Sequence, residues 1–251
     1  MSTTPITLWC LHGAVGAAAD WFPFRDAMES RGYQVRAIDL WRFLDCCPRS
    51  LAETAISLNA EVQASAGVNL LVGYSMGGRI ALYCLLSENS PWDAAIIIGA
   101  HPGLVTEEEK IARRNIDTDW SVKCLHGEWE TFLAEWQSQG ILRDASSLSD
   151  RTPLRLRRKE IARSFLDWSL GAQENLWPRL PEIKIPILWL TGENDEKFTL
   201  LAERATALMP NARHQVISAA GHRLPWQNAQ AFTDAVIVFV DHISRDSTKE
   251  A

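Results

Sequence analysis

The stretch Val72-Gly73-Tyr74-Ser75-Met76-Gly77-Gly78-Arg79 decides how the rest of this chain is read. An apolar run ends at a glycine, turns around a single serine and restarts as a helical pattern. This string fits Gly-x-Ser-x-Gly, a sharp strand-to-helix turn that lifts a serine hydroxyl into a cleft. Glycines stand two positions on either side of Ser75, where side chains would collide as strand and helix approach each other. The sequence therefore predicts that Ser75 is a nucleophile or a base.

Length and composition favour one large α/β protein. The chain has 251 residues, of which 47% are hydrophobic, enough to bury a full core. Its formal net charge of −6 argues against a nucleic-acid-binding protein, which usually carries a basic face. No apolar run approaches the roughly 18 to 20 residues that span a bilayer.

The N-terminus and the cysteines bear on the compartment. The first residues lack the charged region of a signal peptide, and the five cysteines show no Cys-x-x-Cys spacing. We therefore expect reduced thiols, a cytoplasmic location and no metal site.

Short apolar runs alternate with helical patterns at both ends of the chain. Such alternation implies parallel βαβ units, hence a mostly parallel sheet flanked by helices. Between Gly103 and Trp177 only helical patterns occur, which predicts a helical cap, residues 103–177, inserted in a core of residues 1–102 and 178–251. We expect the cap over the carboxyl ends of the strands, where open α/β sheets bind ligands. The predicted strands cover residues 6–11, 34–40, 69–72, 94–98, 185–190 and 214–217.

A serine hydroxyl needs a histidine to take its proton and an acid to orient that histidine. Asp195 directly follows the predicted strand that ends at Leu190, and His222 directly follows the one that ends at Ile217. Because Ser75 also follows a strand, all three side chains are expected at one edge of the sheet. This chain order, serine, acid and then histidine, predicts a catalytic triad.

Other polar residues near these strand ends have competing interpretations. Glu193 and Glu196 are alternative acids, although such residues are ordinary at a solvated turn or a helix N-terminus. His12 and His101 stand at the ends of strands that face the same cleft. They are candidates for side chains that support the triad residues without contacting the substrate.

An oxyanion hole needs two backbone N–H groups that point at the developing negative charge. We expect one from Met76, which follows the serine, and the other from Ala14, in the loop after the first strand. Both donors are backbone groups, so their side chains are free to vary.

With these residues in place, the chain resembles the α/β-hydrolase superfamily along nearly its whole length. More narrowly, it resembles the 2-succinyl-6-hydroxy-2,4-cyclohexadiene-1-carboxylate synthases of menaquinone biosynthesis. The narrower resemblance rests on local strings, namely residues 73–79, Gly99-Ala100-His101-Pro102-Gly103-Leu104, Glu107-Glu108-Glu109-Lys110, Gly171-Ala172-Gln173 before Leu176-Trp177, and Gly192-Glu193-Asn194-Asp195-Glu196-Lys197-Phe198.

The resemblance implies a lyase that needs no cofactor and no metal. In this family the triad removes a proton from the substrate, which then expels pyruvate. A serine polarised by histidine can act as such a base when an oxyanion hole stabilises the enolate-like charge. The substrate is a small polyanion, and arginine suits its carboxylates because the guanidinium donates two parallel hydrogen bonds.

Four side chains are assigned to substrate binding by this resemblance. Arg79 matches the arginine of the family's Gly-Gly-Arg, and Arg113 matches a second family arginine. Trp136 matches an aromatic residue of the family's pocket, and Tyr74 precedes the serine. A further family arginine has no fixed register here and leaves open Arg151, Arg155 and Arg157.

Residues 143–163 carry seven basic and three acidic side chains in an otherwise acidic chain. A cap of that sign would attract an anionic substrate. The alternative is a solvated helix face with intrahelical ion pairs.

Three places depart from the family pattern and alter the expected pocket wall. They are Asp39-Leu40-Trp41-Arg42-Phe43-Leu44 after the second strand, Gln227-Asn228-Ala229 after the histidine, and Ala14, where an aromatic residue is common. Two other functions therefore stay open beside the lyase. One is a serine hydrolase for a small anionic ester, thioester or carbon-carbon bond, and the other is a ligand-binding module with an inactive triad. The sequence leaves the oligomeric state undetermined.

Overall fold

Six strands form one sheet in the computed structural model, which describes residues 5–142 and 149–247. All neighbouring strands pair in parallel, in the order β2-β1-β3-β4-β5-β6. After β1, the chain forms β2 on one side of that strand and then crosses to its other side to form β3. Strands β4, β5 and β6 are added in turn beyond β3. The predicted mostly parallel α/β sheet is thus confirmed. The strands are β1 Ile6–Leu11, β2 Gln34–Ile38, β3 Val68–Tyr74, β4 Ala94–Ile98, β5 Ile187–Gly192 and β6 Ala212–Ile217.

Helices cover both faces of the sheet because its inner strands are apolar on both sides. Every residue of β1, β3, β4 and β5 is buried, and alternate side chains enter opposite cores. One core packs against α1 Phe22–Glu29, α8 Leu224–Gln227 and α9 Ala229–Ser247. The other packs against α2 Leu51–Gln63, α3 Met76–Leu86 and α7 Glu196–Thr206. No helix within the described ranges is long and apolar enough to cross a membrane.

A helical block separates β4 from β5, and its described part contains no strand. It comprises α4 Glu107–His126, α5 Trp129–Ser138 and α6 Arg158–Asp167, with short 3₁₀ turns. Helix α4 starts with a capping box, in which Thr106 and Glu109 each accept a hydrogen bond from the other's backbone N–H. This placement supports the proposed division into a core and a cap.

Several predicted boundaries were wrong by a few residues, for local reasons. Strand β5 begins after Pro186, which has no N–H to donate to the sheet, and it pairs with β6 through Gly192. Strand β2 ends early because Asp39 caps a 3₁₀ turn by accepting the N–H of Trp41 at 3.1 Å. A helical pattern predicts the first helix of the cap over residues 107–117, but α4 continues to His126 and ends at Gly127, whose N–H donates to the Lys123 carbonyl.

Candidate active site

Ser75 occupies a strained turn between β3 and α3. Its backbone has φ 52° and ψ −108°, a region that non-glycine residues rarely adopt. Its N–H donates to the carbonyl of Ile98 at 2.8 Å, which ties the turn to β4. A Cβ on Gly73 would lie 2.7 Å from the Cα of Gly78, and one on Gly77 would lie 2.6 Å from the Leu11 carbonyl oxygen. The glycines at 73 and 77 are therefore required by the close approach of helix and strand.

Of the three residues expected to form a triad, His222 lies within hydrogen-bond distance of both Ser75 and Asp195. His222 Nε2 is 3.1 Å from Ser75 Oγ, and His222 Nδ1 is 2.7 Å from Asp195 Oδ2. Asp195 stands just after β5, and His222 stands in the loop after β6. The rival acids lie elsewhere, since Glu193 accepts the N–H of Ala219 at 2.9 Å and Glu196 is exposed at the start of α7.

Aromatic and backbone contacts fix the plane of the His222 imidazole. The ring of Phe198 lies 4.5 Å from it and the ring of Tyr74 5.5 Å, between centroids. Gly99 is so close that a Cβ there would lie 2.8 Å from His222 Cε1. Phe198 belongs to one of the family-like strings, but nothing in the local sequence indicates this contact.

The two expected oxyanion donors flank Ser75. Met76 is the first residue of α3, so its N–H is among those that have no acceptor inside the helix. Ala14 lines the same cavities as the serine. His12 holds this loop from behind: its Nδ1 is 2.9 Å from the Gly13 carbonyl oxygen, and its Nε2 accepts the N–H of Leu40 at 3.1 Å. Burial lowers the pKa of His12, which suits this neutral form.

Two cavities meet at Ser75. The larger has a volume of about 370 Å³, within the range of small-molecule sites, and the smaller about 50 Å³. Ala14, Trp136 and Leu142 line both, so residues of the cap region close the site over the strand ends. Tyr74 lines only the smaller cavity. Polar side chains of the larger cavity include Arg79, His101, Arg113, Lys197 and His222, and those of the smaller include Asp20, Arg151 and Arg223.

Arg79 is buried, and its partners among the described residues are neutral oxygens, Gln173 Oε1 at 3.0 Å and the Trp168 carbonyl at 2.6 Å. Burial, and then the charge of Arg113, lower the pKa of Arg79 to about 10, so it remains a cation at neutral pH. Arg113 instead donates through Nε to both oxygens of Asp117, each at 2.9 Å. Both predicted arginines thus line the larger cavity, and Arg79 has the less neutralised charge.

His101 lies in the same cavity as a neutral group. Its Nδ1 accepts the N–H of Gly103 at 3.0 Å, which requires that nitrogen to be unprotonated. Burial lowers the pKa of His101 to about 4, and the positive charges of Lys197, Arg79 and Arg113 act in the same direction.

Of the three arginines left open by the sequence, only Arg151 lines a cavity beside Ser75. It is buried and donates to both oxygens of Asp20, at 2.7 and 3.0 Å. Arg155 is exposed. Arg157 pairs with Asp39 and Asp45 at the edge of the core.

Part of the basic run of the cap is paired with carboxylates, whereas Arg155 and Lys159 are exposed. Besides the pairs of Arg151 and Arg157, Arg163 pairs with Asp167 and donates to the Leu44 carbonyl. Arg143, the first basic residue of this run, lies outside the described residues. The attraction expected from a basic cap was therefore assigned to the wrong residues, since most of the positive charge lining the cavities lies elsewhere.

Lys197 and Arg223 are cavity residues that sequence reasoning missed. Each had a weak signal, because Lys197 stands two positions after Asp195 and Arg223 directly after His222. Side chains that flank catalytic residues often reach the same cleft, but one sequence does not say which of them turn inward. Within residues 5–142 and 149–247, no group of three or more His, Cys, Asp or Glu side chains could hold a metal ion.

Comparisons with known proteins show the family of this chain. A family model described as the alpha/beta hydrolase family matches residues 10–235. A 2-succinyl-6-hydroxy-2,4-cyclohexadiene-1-carboxylate synthase of Pectobacterium atrosepticum is 30% identical over 98% of both chains. A protein of the same name from Photorhabdus laumondii is 28% identical, over 96% of this chain and 87% of its own.

Solved structures show the same relationship. The structure of MenH from S. aureus superposes with a TM-score of 0.84 and 25% identity, over 97% of this chain and 96% of that one. A thermophilic esterase from Thermogutta terrifontis has a TM-score of 0.72 but only 18% identity, over 97% of this chain and 92% of that one, and shares the fold alone. The resemblance inferred from the sequence is confirmed, and this chain belongs to the α/β-hydrolase family and, within it, to the family of the 2-succinyl-6-hydroxy-2,4-cyclohexadiene-1-carboxylate synthases.

Proposed function

We propose that this chain is a lyase that eliminates pyruvate from a polycarboxylate cyclohexene intermediate of menaquinone biosynthesis. The observation that carries the proposal is the opening of the Ser75–His222 pair onto a cavity lined by Arg79, Arg113 and Lys197. Among the described residues, no carboxylate side chain lines that cavity. Such a site favours a substrate with several negative charges, and the similarity along the full chain supports the same substrate class.

Ser75 acts as the base in this proposal, and His222 acts through it. As the serine oxygen takes a proton from a substrate carbon, the serine proton moves to His222 Nε2, 3.1 Å away. Asp195 accepts a hydrogen bond from Nδ1 and stabilises the imidazolium that forms.

The electrons of the broken C–H bond move into the ring, and the C–O bond to the enolpyruvyl group breaks. The leaving group departs as an enolate, which takes up a proton to become pyruvate, while His222 releases the proton that it received, so the triad is restored. Backbone N–H groups of Ala14 and Met76 stabilise negative charge as it develops on oxygen. The reaction consumes no water and forms no acyl-enzyme.

Pyruvate release tests the proposal directly. Purified protein is mixed with the pathway intermediate, and pyruvate is measured with lactate dehydrogenase and NADH. We expect turnover by the wild type and a loss of roughly a thousandfold or more in Ser75→Ala. Ser87→Ala is the matched control, because that hydroxyl donates to the Tyr83 carbonyl at the end of α3.

Two other outcomes identify the other functions. Rapid cleavage of a p-nitrophenyl ester through Ser75 without pyruvate release would make the chain a hydrolase. Neither reaction, with ligand affinity unchanged in Ser75→Ala, would make it a binding module.

Substrate recognition is assigned to Arg79 and Arg113, with Trp136 and Tyr74 as cavity walls. Because the two arginines contact carboxylates before and during the reaction alike, Arg79→Ala or Arg113→Ala should chiefly raise KM and leave kcat nearly unchanged. Steady-state kinetics of pyruvate release measure both values. Unchanged kinetics would exclude these arginines from carboxylate recognition.

A further inference from the structure

The small cavity beside Ser75 holds two arginines but only one carboxylate, Asp20. Arg151 engages both oxygens of that carboxylate. Ser149 donates its hydroxyl to Asp20 at 2.6 Å, and the N–H of Ala17 donates at 2.9 Å. Asp20 thus accepts hydrogen bonds from three residues, and it forms no ion pair with the second arginine, Arg223.

Arg223 is buried without a carboxylate partner in the described part of the chain. Only 6% of its surface is exposed, and no carboxylate oxygen of a described residue lies within 4.0 Å of its guanidinium. Burial lowers the pKa of Arg223, the charge of Arg151 lowers it further and the charge of Asp20 raises it. Tyr74 lines the same cavity. A buried cation without a counter-ion is unfavourable, so an arrangement of this kind suits a site that is completed by an anion.

We propose that Arg223, together with Tyr74, binds one carboxylate of the anionic substrate inside the small cavity and thereby sets the orientation of the substrate at Ser75. This inference rests on the proposed function and adds a specificity-determining residue to it.

The volumes of the two cavities indicate which part of the substrate each of them can hold. About 50 Å³ accommodates a group of carboxylate size, whereas a six-membered ring requires the cavity of about 370 Å³. Ser75 lines both, so a substrate that places its ring in one and a carboxylate in the other presents the carbon between them to the serine. A carboxylate is planar and accepts two parallel hydrogen bonds, which matches the fork of an arginine.

Binding of pyruvate tests this inference without any turnover. Pyruvate and its uncharged analogue pyruvamide are titrated by calorimetry into the wild type, Arg223→Gln and Arg79→Gln. We expect the wild type to bind pyruvate about tenfold or more tightly than pyruvamide, the Arg223→Gln variant to lose that difference and the Arg79→Gln variant to keep it. The inference is overturned if the wild type does not discriminate, or if Arg223→Gln discriminates as well as the wild type.

A conservative variant separates carboxylate binding from a structural role. Arg223→Lys retains the charge but not the fork, so pyruvate should bind a few-fold more weakly while pyruvamide binds as before. Should Arg223→Gln fail to fold, this variant decides alone, and equal affinities in Arg223→Lys and the wild type would reject the inference.

Kinetics distinguish a failure of this inference from a failure of the proposed function. With the pathway intermediate, Arg223→Gln should raise KM roughly tenfold or more, whereas Arg25→Gln, at a partly exposed position in α1 that lines neither cavity, should change neither constant. Pyruvate release with an unaltered KM in Arg223→Gln would overturn only the role of Arg223. Pyruvate binding through Arg223 without any release would overturn only the lyase.

Discussion

The buried arginines of the small cavity, Arg151 and Arg223, differ in whether a carboxylate accompanies them, and this difference predicts opposite effects on stability. Burial alone would raise the pKa of Asp20, but hydrogen bonds and the charge from Arg151 outweigh it and lower that pKa. Arg151→Gln would leave the Asp20 charge buried without its partner, which should lower the free energy of unfolding by about 3–5 kcal/mol.

Arg223→Gln removes a desolvated cation and should change the same quantity by less than about 1 kcal/mol, or raise it. Urea denaturation of both variants gives the comparison. An equal loss in the two variants would show that Arg223 is held by an internal counter-charge.

His101 gives a prediction about acid stability. Its pKa in the folded protein is about 4, below its ordinary value of 6.5, so the unfolded chain takes up a proton that the folded protein refuses. The pKa shift of His101 therefore lowers the free energy of unfolding as the pH falls from 6.5 to about 4. Above and below that range His101 causes no further change.

His101→Gln should remove this part of the acid dependence, at most about 3 kcal/mol. Urea midpoints at several pH values, compared with the wild type, measure the difference. Parallel pH curves for the two proteins would contradict the assignment.

The strand-to-helix turn at Ser75 gives the prediction at the scale of one element. Gly77→Ala would place a methyl group 2.6 Å from the Leu11 carbonyl and push α3 away from the first loop, which also carries Ala14. We expect a loss of roughly 2 kcal/mol or more in stability together with a lower kcat, since helix and oxyanion loop move together. Gly140→Ala is the control, because nothing lies within 4 Å of the added carbon. Similar effects in both variants would argue against a tight turn.

The elements that the sequence predicted well are those set by local rules. Alternating apolar runs located all six strands, and the elbow, Asp195 and His222 could be placed because each follows a strand. The boundaries needed finer local chemistry, as with Pro186 before β5 and the Asp39 cap after β2.

Contacts between distant parts of the chain could not be predicted where no strand end or motif brings the residues together. The pairing of Asp20 with Arg151 joins residues 131 positions apart, and nothing in either local sequence selects that partner. For the same reason, the sequence did not show that Arg151 and Arg157 of the basic run pair with carboxylates of the core. A single sequence shows how many charges a segment has but not which core carboxylates will meet them.

The net charge of the whole molecule is opposite in sign to the charge of the side chains that line the site. The chain carries a formal net charge of −6, yet most of the charged side chains that line the cavities at Ser75 are cations. A polyanionic substrate is therefore repelled at long range and attracted once it enters. The two effects differ in their response to salt, because the screening length falls from about 30 Å at 0.01 M to about 3 Å at 1 M and enclosed pairs are screened least.

This opposition predicts a maximum in kcat/KM as ionic strength increases. Salt between about 0.01 and 0.1 M should remove the long-range repulsion and raise kcat/KM a few-fold, while the enclosed cation–carboxylate pairs persist. Towards 1 M those pairs weaken as well, so kcat/KM should fall again while kcat at saturating substrate stays nearly constant. Pyruvate release measured across this salt series checks the prediction. A steady decrease from the lowest salt would instead mean that a cationic surface at the mouth of the site guides the substrate in, as a free basic cap would.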